Sequence, residues 1–168
     1  MNTKLISKSR SIILILTVLT ILQSCGIGLL VRGAAKKRIT VENKTVPPDF
    51  IKKDQTLIIL LWGDKSYDKY ATKAFKQFYT GKMEFVSFNE LLTNPKYEDL
   101  ESYPYVFSQG PGELKMYEGD SYSYTFYGGR PFHIFDRANK TFYTSPFHSS
   151  FFYRIIQAYA KKLNTYIK

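Results

Sequence analysis

Cysteine is almost absent from this 168-residue chain: Cys25 is the only one, alongside two histidines and a single tryptophan. One thiol excludes an intrachain disulfide and a thiolate metal cluster. His133 and His148 fall in no metal-ligand spacing, so no metal is expected and both read as structural or surface residues. Gly110, Gly112, Gly128 and Gly129 are not followed by the lysine and hydroxyl of a phosphate loop and read as turn glycines. Ser108 has no nucleophile-elbow context. The acidic fringe of Glu113, Glu118 and Asp120 lacks the alternation of a calcium loop. Internal repeats, low-complexity tracts and nucleic-acid motifs are also missing, which leaves no recognisable catalytic set and no nucleic-acid partner.

The chain does have a sharply organised beginning. Lys4, Lys8 and Arg10 precede an uncharged apolar run from Ile12 to Leu22, and small Ser24 stands directly before Cys25. That is the layout of a secretory signal. Leu22-Gln23-Ser24-Cys25 resembles the lipobox of bacterial lipoproteins, with an aliphatic residue three places before the cysteine and a small one beside it. The resemblance implies thioether attachment of diacylglycerol to the Cys25 sulfur, cleavage between Ser24 and Cys25, and acylation of the freed amine, with palmitate as a typical chain. The covalent lipid is the only cofactor expected. Signal and composition are also similar to those of Bacteroidota lipoproteins, and the lack of an acidic tag after Cys25 favours a periplasm-facing position over surface display. An alternative is an uncleaved single-pass anchor, because residues 12–31 have the length of a membrane span. Gln23, Ser24, Gly26 and Gly28 make it a poor span, and positive charge at both ends gives no clean orientation.

Basic residues outnumber acidic ones 24 to 14, a formal net charge of +10. Without residues 1–24 this falls to +7, of which residues 25–45 carry +4. Arg32, Lys36, Lys37 and Arg38 therefore form a local cluster close to the anchor. Such cations favour anionic head groups by about 1 kcal/mol each near the surface; a solvated tether is the plainer reading. Pro47-Pro48-Asp49 disfavours helix. Together these features predict a signal over 1–24, an extended basic tether over 25–49 and one globular domain over 50–168.

Within that domain, Thr56–Trp62 is a continuous apolar run expected of a central strand covered on both faces. Asp64 or Ser66 can cap a helix carrying Tyr70, Ala71, Ala74, Phe75 and Phe78, stopped by Gly81, and Met83–Phe88 reads as a second strand. Asn89 can cap a short helix through Leu92. Tyr103–Phe107 is a third run, which Pro104 restricts to an edge or to a start just after the proline. Residues 122–127, 131–136 and 141–144 read as antiparallel strands. Ser149 or Ser150 can cap a C-terminal helix with Phe152, Ile155, Ile156, Tyr159, Ala160 and Leu163 on its apolar stripe. The predicted class is α+β: a βαβ unit, an antiparallel meander and a C-terminal helix on one mixed sheet.

This element order is similar to the small α/β domains of envelope lipoproteins of the Tol and curli-secretion systems, without a diagnostic residue motif. It implies a non-enzymatic scaffold or assembly factor with an envelope protein as partner. Two rival functions are a glycan- or peptide-binding module using the tyrosine-rich strand (Tyr117, Tyr122, Tyr124, Phe126, Tyr127), and a hydrolase using Asp136, His133 and Arg130. For Asp136 beside Arg137, an Asx turn is the simpler reading.

Overall fold

The computed structural model describes residues 28–52, 54–110, 131–146 and 150–167. Residues 28–38 are helical and are called α1. There follow β1 (Leu57–Leu61), α2 (Lys65–Phe78), β2 (Met83–Ser87), α3 (Phe88–Thr93), β3 (Tyr105–Gln109), β4 (Phe132–Asp136), β5 (Thr141–Thr144) and α4 (Phe152–Leu163), with a short 3-10 turn at Pro95–Glu98. The fold is α+β, built on one mixed sheet in the order β2-β1-β3-β4-β5. β1 pairs in parallel with β2 and β3; β3–β4 and β4–β5 are antiparallel.

Alternation along β1 divides the interior. Leu57 and Ile59 pack with α1, α2 and α4, whereas Ile58 and Leu60 pack with Val86, Tyr97, Tyr103 and Val106 on the other face. Both faces are covered, which is why the run contains no polar residue. The middle position, however, belongs to β3 rather than β1. The strand starts at Tyr105, directly after Pro104, so the proline takes no place in the ladder and its carbonyl instead accepts from Arg137 N.

Caps place the helices. Asp64 accepts from Ser66 N and Tyr67 N and so starts α2. The short helix is capped by Ser87, which accepts from Glu90 N, rather than by Asn89. α4 follows Phe151 with no side-chain cap, so Ser150 does not start it; Ser149 and the 122–127 strand lie outside the described residues.

The main correction concerns the expected tether. Among the described residues of 25–49, α1 is folded onto the core: Ala35, Ile39 and Val46 are fully buried with Phe50 and Ile51. Val31, Ala35 and Ile39 recur every four residues, one face of a helix. Its end is closed by side chains, since Thr45 Oγ1 and Asn43 Nδ2 both donate to the Arg38 carbonyl. Pro47 then makes a turn, its carbonyl accepting from Phe50 N. The basic residues Lys36, Lys37 and Arg38 occupy the last turn, where the helix dipole favours cations.

Candidate functional site at the carboxyl ends of the parallel strands

From β1 the chain reaches β2 through α2 on one face of the sheet, and from β2 it returns past β1 to β3 through α3 and the 3-10 turn on the other. The chain leaving β1 and the chain leaving β2 therefore turn to opposite faces at the carboxyl edge of the parallel strands, the edge where open α/β sheets commonly bind ligands. The amino end of β4 lies at the same edge, because β4 runs antiparallel to β3.

Trp62 leaves β1 at this edge, and its indole Nε1 donates to Ser108 Oγ at 3.0 Å. The Ser108 hydroxyl lies 3.4 Å from the Gln109 carbonyl, so the indole and backbone engage it rather than an imidazole. The Trp62 ring stacks on Phe88, with centroids 5.3 Å apart. Asp68, one turn into α2, accepts from Trp62 N and Gly63 N, both at 3.0 Å, and holds the strand-to-helix turn. Gly63 has φ +78°, which glycine adopts without strain.

His133 stands opposite Ser108 in the β3–β4 register and meets Phe142 edge-on at 4.9 Å. It is 4% exposed, and its Nδ1 has no hydrogen-bond partner among the described residues. Burial lowers its pKa to about 4, so the ring is neutral at physiological pH. Gly110 packs where a Cβ would lie 3.7 Å from His133 Cε1 and 3.8 Å from the Trp62 ring. Indole, hydroxyl and neutral imidazole thus line one edge. They can stack and hydrogen-bond, and no charged side chain among the described residues is hydrogen-bonded to the imidazole.

The proposed hydrolase set is not brought together. His133 and Asp136 lie three places apart on β4 and so project to opposite faces. Asp136 Oδ1 accepts from Asn139 N, and its Oδ2 from Asn139 Nδ2, in the Asx-type turn before β5. Arg130, His148, Tyr122, Tyr124 and Tyr127 lie outside the described residues, as do Ser24 and Cys25. Lys36, Lys37 and Arg38 are exposed on α1, and Arg32 is half-buried. Trp62 passed in the sequence as the end of an apolar strand. Only its position before Gly-Asp, at the close of a parallel strand, marked it. Arg137 was also missed: its guanidinium donates to the Tyr103 carbonyl at 2.7 Å and to the Tyr97 carbonyl, pinning the β4–β5 turn.

Among the described residues, no helix is long and apolar enough to cross a membrane, and no three His, Cys, Asp or Glu side chains converge to hold a metal ion. Comparison with protein-family models, curated proteins and solved structures finds no match to this chain.

Proposed function

We propose that this chain is a lipid-anchored envelope lipoprotein that acts without catalysis, as a binding or assembly factor on the periplasmic side of its membrane. One observation supports this most: Cys25, at the end of the lipobox-like Leu22-Gln23-Ser24-Cys25, stands only three residues before Gly28, the first described residue of a helix packed on the domain. Acylation at Cys25 would therefore attach the lipid at the domain surface. The separation of His133 from Asp136 further supports binding over hydrolysis.

Expression of the native chain beside Cys25→Ser tests the anchor. The native protein is expected to begin at Cys25 with acyl mass added, and the variant to keep its precursor mass and lose that modification. A native protein of unmodified precursor mass contradicts the reading.

The Trp62–Ser108–His133 cluster provides the second readout. Trp62 is the only tryptophan, and its indole is bonded within the site, so its emission reports occupancy. Titration with soluble glycans and peptides should shift that emission for the bound class, and the shift should disappear in His133→Phe. A shift that survives this substitution places binding elsewhere.

A further inference from the structure

We infer that the end of the domain formed by the first turns of α1 and α4 docks rigidly into the head-group layer of an anionic bilayer, so that the protein stands in one orientation. This inference rests on the membrane attachment proposed above and adds a surface and its lipid chemistry.

Four large hydrophobic residues are exposed among those described, and two of them, Leu29 (48%) and Leu30 (73%), are adjacent in the first turn of α1. They sit four and five residues after Cys25. Gly28 is buried against α4: a Cβ there would lie 3.2 Å from Arg154 Nε and 3.6 Å from the Tyr153 hydroxyl. The span from Cys25 to Gly28 covers roughly 10 Å when fully extended, too short to hold the domain away from the membrane.

The surroundings match an interface. Tyr70, Phe152 and Tyr153 are half-buried at this end, with Tyr70 ring centroids 5.6 Å from Phe152 and 5.3 Å from Tyr153. The Arg154 guanidinium stacks 4.9 Å from the Tyr153 ring. Aromatic rings with polar tips favour the membrane–water boundary. Along the outward face of α1, Lys36 and Lys37 follow the leucines at about 10 Å, where extended side chains reach phosphate from the water side. Asp64 and Asp68 share this end, but their carboxylates are engaged by backbone amides.

The carboxyl ends of β1 and β3 lie at this same end, because α2 begins there and its Tyr70 meets the start of α4. In the docked orientation the Trp62–Ser108–His133 cluster therefore lies close to the bilayer.

The test uses the full-length protein, matured in a bacterial host and reconstituted into vesicles of phosphatidylglycerol and phosphatidylethanolamine. Single nitroxide labels are introduced through Leu30→Cys and Leu100→Cys. Leu100 lies near the amino end of β3, away from the proposed contact. The label at 30 is expected to be several-fold less accessible to an aqueous nickel chelate than the label at 100. Lys36→Glu with Lys37→Glu should reduce that shielding, as should replacing phosphatidylglycerol with phosphatidylcholine. Equal accessibility at 30 and 100 overturns the docking, and shielding insensitive to both charge changes overturns its anionic character. The mass of the same samples reports Cys25 acylation separately, so loss of the lipoprotein reading is distinguishable from loss of docking.

Discussion

Replacing Ile39 with alanine is expected to lower the stability of the domain by about 2–5 kcal/mol, the range for a large aliphatic side chain deleted from a packed core. Ile39 is fully buried with Ala35, Val46, Phe50 and Ile51, and its amide donates to the Ala35 carbonyl at 3.1 Å. The neighbouring elements on both sides are helical or hydrogen-bonded, so the cavity has little freedom to collapse. A residue in a solvated tether would give no change. Lys37→Ala, on the exposed side of the same helix, should stay within about 0.5 kcal/mol of the native protein. Urea denaturation of the two variants side by side separates a core helix from a linker, because both substitutions lie within three residues of each other.

The second large effect is a loss of stability in acid that runs through His133. In the unfolded chain the imidazole takes up a proton as the pH falls past its ordinary value of 6.5, whereas burial keeps the native ring neutral down to about 4. Between these values the unfolded state binds more protons, so stability falls as the pH falls and is fully present above 6.5. The whole window amounts to a loss on the order of 3 kcal/mol. Stability measured against urea from pH 7 to 4 should show this slope, and His133→Phe should flatten it. Glu84 titrates in a separate window. Burial raises its carboxyl, but hydrogen bonds from Lys96, Tyr97 and Tyr103 outweigh burial and hold it below its ordinary 4.5. Its contribution is therefore present above about 4.5 and is lost only below it. A slope between 6.5 and 4.5 that persists in His133→Phe would mean that a group other than His133 governs it.

Much of the sheet was legible because its strands are short apolar runs bounded by turn residues. Leu57–Leu61, Met83–Ser87, Phe132–Asp136 and Thr141–Thr144 all fall within the predicted stretches, and the Asx turn at Asp136 followed from its residue types. Cap assignment was weaker. Asn89 and Ser87 are both competent caps, and the choice between them depends on where β2 ends, which is a matter of pairing with β1. The interior place of β3 was obscured by Pro104, which disqualifies a strand only when it sits inside the ladder.

The start of the domain was missed for a different reason. Lys36, Lys37 and Arg38 read equally well as a basic tether and as a helix's last turn, and the proximity of the apolar signal favoured the tether. The four-residue recurrence of Val31, Ala35 and Ile39 carried the opposite information, but it needs α4 as a packing partner some 120 residues later to become decisive. The Trp62–Ser108–His133 cluster was illegible for a related reason: its members are brought together only by β1–β3 and β3–β4 pairing, and no local spacing reports them.

Amide hydrogen exchange over residues 31–46 tests most directly whether this part of the chain belongs to the fold. Protection of the Ile39 and Thr45 amides, which donate to Ala35 and Thr40, comparable to that of β1 is the predicted result. Exchange at the rate of an unstructured peptide would contradict it, and with it the proposed rigid docking on a membrane.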